Sequence, residues 1–101
     1  MYELIRRALT ERLIVRAVYK GRHREMCPHV LGLKNGQGHG LFYQFSGESG
    51  SGLQPDGSPA NWRCIRIDEL SEVTVHAGAW HTSSDYSQHT QTCVDRIDAA
   101  L

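Results

Sequence analysis

Four groups of residues in this 101-residue chain could do chemistry, and they fall in order along it. Tyr19 comes first, then Arg24 with the step Pro28-His29, then Phe42-Tyr43-Gln44, then Trp62-Arg63 with Arg66. A guanidinium is a planar fork that donates to two oxygens of a phosphate or carboxylate at once. A tyrosine adds a flat face and a hydroxyl. Arg24, His29, Arg63 and Arg66 gathered beside Tyr19 and Tyr43 would form a cationic, aromatic-lined pocket. Such a pocket suits a nucleotide or a single strand of nucleic acid, bound through phosphates and stacked bases. Taken singly, each residue has a plainer use. Tyr19 and Tyr43 serve as core or rim aromatics, Trp62 as packing, His29 as a structural histidine, and Arg24 as a partner of Glu25 or Glu72. Only their co-occurrence carries the functional reading.

Three other chemistries compete. His76, His81, His89 and Cys93 could ligate zinc, with His89 and Cys93 sharing a helical face, but structural zinc sites use tighter paired spacing such as Cys-x-x-Cys. No metal or cofactor is therefore expected. A thiol enzyme could be built on Cys27 with His29, two apart on one strand face, or on Cys64. No nucleophile motif surrounds either cysteine, so the chain reads as non-enzymatic. The third rival is a module for protein–protein contact or oligomerisation with no small ligand, working through exposed strand edges and favouring a homodimer.

The elements that must position these residues follow from periodicity. Leu4, Ile5, Ala8 and Leu9 predict a short amphipathic helix over 2–11. Period-two alternation predicts strands over 13–20, 23–33, 39–46, 62–68 and 72–77. Lys20-Gly21-Arg22 and Asn35-Gly36 mark the first two turns. Pro28 cannot donate to a ladder, so the second strand must bend, bulge or lie at an edge there. Residues 47–61 are too rich in Gly, Ser and Pro to build a core and read as a long, mobile loop. After a polar stretch from residue 79, the spacing of Cys93, Val94, Ile97 and Leu101 predicts a final short helix. The expected fold is mainly β: one domain over 1–101, with a small five-stranded barrel over about 13–77 and a short helix at each end.

Composition sets the bounds. Hydrophobic residues make up 40% and charged residues 22%, which fits a globular chain. Net charge is zero, yet residues 1–66 hold ten bases and five acids, and residues 67–101 hold one base and six acids. That asymmetry predicts a local basic surface. Nine of the eleven bases are arginine. Three widely spaced cysteines fit reduced thiols in a cytoplasmic protein better than a disulfide scaffold. Arginines at positions 6, 7, 12 and 16 interrupt any signal peptide, and no apolar run could span a membrane.

Several stretches resemble the WYL-domain family. Gly21-Arg22-His23-Arg24-Glu25-Met26-Cys27-Pro28-His29-Val30-Leu31-Gly32 is similar to that family's turn, arginine and Pro-His step. Leu41-Phe42-Tyr43-Gln44 resembles its naming strand, and Arg63-Cys64-Ile65-Arg66-Ile67-Asp68-Glu69-Leu70 its closing stretch. The resemblance covers residues 1–77. It implies an Sm-like barrel that acts as a ligand- or nucleic-acid-sensing module in bacterial transcription regulators and phage-defence proteins. It also implies a ligand pocket at Tyr19, Arg24, His29, Arg63 and Arg66. The chain departs from the pattern in having no Trp-Tyr-Leu triplet, in placing Glu69 where the family has an arginine, and in lacking a helix-turn-helix. Operator binding would then need a separately encoded partner.

Overall fold

The longest alternating run organises the sheet. In the computed structural model, which describes residues 1–101, β2 runs from Arg22 to Lys34, and β3, Gln37–Gly47, pairs with it over almost that whole length. On its other side, the first half of β2 pairs with β1, Ile14–Tyr19, and the second half with β6, Arg96–Ala100. The handover falls at Pro28. Met26 is the last residue paired with β1 and Val30 the first paired with β6. A proline has no N–H to give, and here it sits between two neighbours, where the β2–β3 register also shifts. β4, Trp62–Arg66, extends the sheet beyond β3, and β5, Ser71–His76, extends it beyond β1. Every pairing is antiparallel.

The two hairpin turns are two-residue loops with positive φ throughout. Lys20 and Gly21 stand at 51° and 73°, Asn35 and Gly36 at 52° and 76°. That geometry matches the right-handed twist of the flanking strands. Asn-Gly is the sequence it favours; a lysine in the first position is not.

The expected barrel is replaced by an open sheet. β4 and β5 occupy opposite edges, in the order β4-β3-β2-β1-β5, and no ladder joins them. They are nevertheless close in sequence, linked through a single 3-10 turn at Ile67–Glu69. Five flat strands would hold their edges about 19 Å apart. A link of this length, partly coiled at about 2 Å per residue, spans less. The sheet must therefore curl strongly, though it does not close.

The helix α1, Tyr2–Thr10, covers the concave side and buries Ile5, Ala8 and Leu9 against Val15, Ala17, Met26, Leu31, Phe42 and Ile65. Each Ile, Leu, Val, Met or Phe side chain in this set contributes about 1.5–3 kcal/mol on burial. No helix is long and apolar enough to cross a membrane.

The C-terminal helix expected from spacing is a strand, β6. Beyond Met26 the edge of β2 would otherwise present unpaired backbone groups within the buried run Val30–Leu31–Gly32, and pairing with β6 satisfies them. Gly32 makes this possible, because a Cβ there would collide with the Arg96 carbonyl and the Val94 side chain.

The expectation of three reduced thiols fails as well. Cys64 of β4 is bonded to Cys93, ahead of β6, with their Cα atoms 5.3 Å apart. The case for a cytoplasmic setting loses that support. Residues 47–61 form a loop with defined internal contacts. Asn61 is fully buried and bonds the backbone of Gln54 through both ends of its amide, at 2.9 and 2.8 Å. Gly57 N–H donates to the Tyr43 hydroxyl at 2.6 Å.

Candidate anion-binding site

The end of the β1–β2 hairpin faces the loop that follows β3, and Arg63 of β4 lies between them. Together they enclose an open basin of about 430 Å³. Lys20, Arg22, Arg24 and Arg63 line it, with Tyr19 and the hydroxyls of Ser49 and Ser51. No carboxylate lines it. The acids near other bases are engaged elsewhere: Glu3 and Asp98 with Arg6, Glu11 with Arg7, Glu25 with Arg16, and Asp68 with Arg66. Charge neutralisation across the fold is thus real for those four arginines and absent from the basin.

Gln44 holds the basin together. It is fully buried on β3, and all four hydrogen-bonding positions of its amide are used. Its Nε2 donates to the carbonyls of Ser46 and Glu48 at 3.1 and 2.8 Å. Carbonyls only accept, so this fixes which end of the amide is oxygen. The Oε1 then accepts from Arg24 Nη1 at 3.3 Å and from Arg63 Nε at 3.1 Å. One neutral oxygen thereby holds two guanidinium groups.

The two arginines differ in what they have left to offer. Arg63 is largely consumed. Its Nη1 donates to the carbonyls of Ala60 and Trp62, and its Nη2 to Ser49 Oγ at 3.1 Å. Arg24 is only 6% exposed, and its Nε has no partner. Its single side-chain bond is the one from Nη1 to Gln44, so the Nε–Nη2 edge, the one that grips two oxygens side by side, has no partner, and its Nε lies covered from solvent. Burial, then the charge of Arg63, pulls the Arg24 guanidinium below its ordinary pKa; burial does the same to Arg63. Arginine stays protonated at any working pH, so these shifts register a cost of folding, not a change of state.

Tyr19 is in the basin but closed to stacking. It is 8% exposed, with the Arg24 guanidinium 5.2 Å and the Lys20 ammonium 5.5 Å from the ring centre. These contacts fix the cations by cation–π attraction. Lys20 does so from a left-handed backbone that disfavours a β-carbon.

Of the six residues expected at the pocket, the structure brings together Tyr19, Arg24 and Arg63 and leaves out the other three. Tyr43 is buried, its hydroxyl taken by Gly57. Arg66 points to the surface and grips Asp68 through Nε at 2.7 Å and Nη2 at 3.0 Å. His29 lies in a separate aromatic cluster, its ring centre 4.8 Å from Trp62, 4.9 Å from Tyr86 and 5.5 Å from Trp80. Alternation explains this separation: neighbouring strand residues face opposite sides, so Arg63 and Trp62 cannot serve one site. Lys20, Arg22, Ser49, Ser51 and Gln44 were missed as site residues. The available signal was Gln44, an uncharged hydrogen-bonding group inside the otherwise apolar run Leu41–Phe45.

The competing chemistries also take definite positions. Cys93 is in the disulfide, and His81 bonds Asp56 at 2.7 Å while stacking on Phe45. Cys27 is buried, accepts from the His81 N–H, and its thiol is pushed up to about 11 by burial. His29 Nδ1 bonds the Cys27 carbonyl at 2.8 Å, not the sulfur. In comparisons with known proteins, no family profile, no curated sequence and no solved structure matches this chain.

Proposed function

We propose that this chain is a binding module for a negatively charged ligand, a nucleotide or a single strand of nucleic acid, seated in the basin between the β1–β2 hairpin and the Ser49–Ser51 loop. One observation carries the reading. Two guanidinium groups, Arg24 and Arg63, are held by the neutral Gln44 oxygen with no carboxylate lining the basin, and the Nε–Nη2 edge of Arg24 has no partner. Folding desolvates two like charges with no carboxylate beside them, and a bound anion offsets what their neutral hydrogen-bond partners do not.

The wider reading goes with it. We take the module to be a WYL-like, Sm-like domain acting without catalysis as a sensor beside a separately encoded regulator. The strongly curled antiparallel sheet with its leading helix supports that reading, as does the presence of Tyr19, Arg24 and Arg63 in one basin.

Thermal shift and calorimetry at low salt, with nucleoside monophosphates and a short oligothymidylate, test it. Binding stabilises the folded state by mass action, so the melting temperature should rise with ligand. Affinity should fall as salt increases, because phosphate contacts release counterions. Arg24→Met should weaken binding at least tenfold. Gln44→Glu, which sets a carboxylate between the two guanidinium groups at the cost of the bonds to the Ser46 and Glu48 carbonyls, should do the same with both arginines present and the folded state verified by circular dichroism. If the wild type binds neither ligand type, the reading is lost, and the open β4 and β5 edges make a protein-contact module the better account.

A further inference from the structure

We infer that the basin reads a terminal phosphate, the monoester group of a nucleotide or of a 5′-phosphorylated strand, and is indifferent to the base attached. This rests on the anion-binding reading above and narrows it. The deciding feature is what surrounds the free edge of Arg24: cations and hydroxyls, and no usable aromatic face.

Sequence-tolerant binding of a strand interior needs a groove that follows the backbone and rings on which bases stack. The basin offers no ring open to stacking. Tyr19 is nearly covered and flanked by two cations, Tyr43 is buried, and Phe45 is stacked on His81 at 3.9 Å between ring centres. The lining comes from one hairpin end, one short loop and Arg63 of β4, and Tyr19 is its one aromatic residue. Arg22 closes the gap between hairpin and loop: a Cβ on Gly50 would stand 3.8 Å from its Nε.

The donors that remain fit a compact anion with more than two oxygens. A small outward turn of the Arg24 side chain, which uncovers its unpartnered Nε, lets Nε and Nη2 take two oxygens side by side. Lys20 and Arg22 are exposed on the hairpin and free of carboxylate partners, and Ser51 bonds only the Ser49 hydroxyl, at 3.3 Å. A phosphomonoester presents three terminal oxygens and a second negative charge near neutral pH; an internal phosphodiester presents two and one. Four cations without a counter-charge reward the second charge. The Lys20 ammonium stands at this rim, 5.5 Å from the Tyr19 ring centre.

The experiment uses the full chain at constant ionic strength and compares, by calorimetry, an oligothymidylate carrying a 5′-phosphate with its 5′-hydroxyl twin. The four nucleoside 5′-monophosphates, uridine and inorganic phosphate are measured alongside. The phosphorylated strand should bind at least tenfold tighter than its twin. The four monophosphates should agree within about threefold, and uridine should not bind. Lowering the pH from 7 to 5 should weaken phosphate binding, because the group's second pKa lies near 6, and should leave sulfate binding unchanged. Arg24→Lys keeps the charge but loses the fork, and should cost phosphate at least tenfold with the melting temperature retained. If Arg24→Lys does not fold, Lys20→Ala and Arg22→Ala, both at exposed positions, should each weaken phosphate severalfold. Equal affinity for the two strands, or a tenfold preference for one base, overturns the terminal-phosphate inference and leaves nucleic-acid binding standing. No binding by any of these ligands overturns both.

Discussion

Arg24 and His29 lie five residues apart on the same strand and both are buried, yet one is finished and the other is not. His29 is 1% exposed, and both ring nitrogens are satisfied. The Cys27 carbonyl can only accept, so Nδ1 carries the proton, and Nε2 accepts from the Thr82 hydroxyl at 2.8 Å. Three aromatic rings surround it. Arg24 is as deeply set, but half its fork has no partner and its nearest charges are positive. A buried polar group that is fully partnered is packing; one left partly unpaired, at a surface basin, is a place for something to bind. Of two residues that looked equally functional in the sequence, partner count separates the structural one from the candidate.

Several changes would break or sharpen that contrast. The largest effect is expected from the disulfide that borders the His29 side. Its 29-residue separation closes a loop worth about 3–4 kcal/mol on the chain-entropy account, so Cys64→Ala with Cys93→Ala should lower the urea midpoint accordingly. Thiol titration of unfolded wild type should count a single free thiol, from Cys27. Next comes His29→Ala, which empties the centre of the aromatic cluster and should cost about 3 kcal/mol. Arg24→Met at a comparable depth should change stability by about 1 kcal/mol or less, in either direction, because it removes a desolvated, uncompensated charge along with a cation–π contact. Equal losses at the two positions would erase the distinction.

Acid acts on the His29 side alone. Burial holds the His29 pKa below its ordinary value, so the unfolded chain binds a proton that the folded chain refuses. Stability is therefore full above about pH 6.5 and falls as the pH drops below it, by at most about 1.4 kcal/mol per unit. Urea titrations of wild type and His29→Gln from pH 7.5 to 5 should show the slope in the former and its loss in the latter. Smallest of all is Arg66→Ala. Its partner Asp68 is two residues away at the surface, so neither the melting temperature nor phosphate affinity should move measurably.

The parts legible in the sequence are those that local rules decide. Five strands could be drawn from period-two alternation, and both hairpins from Lys20-Gly21 and Asn35-Gly36, because side-chain period and turn chemistry are properties of a few adjacent residues. What escaped depends on distant segments meeting. Cys93, Val94, Ile97 and Leu101 fit a helical period, but the buried edge of β2 needed a strand, and tertiary demand prevailed. The Cys64–Cys93 bond has no signature in spacing, since it reflects where β4 and the tail pass each other. In the site, Tyr19, Arg24 and Arg63 were readable as residue types. The exclusion of Tyr43, His29 and Arg66 was not, because which face each side chain takes follows from register and curl. Gln44 was seen as part of an aromatic strand, and its role as a hub needed the two arginines in view.

The returning strand β6 acts as a guard rail for the sheet. Remove residues 79–101, and Val30–Leu33 becomes a bare apolar margin offering its backbone to any neighbour. A shortened chain of this kind should self-associate more than the full chain, because it bares that apolar margin in addition to the β4 and β5 edges.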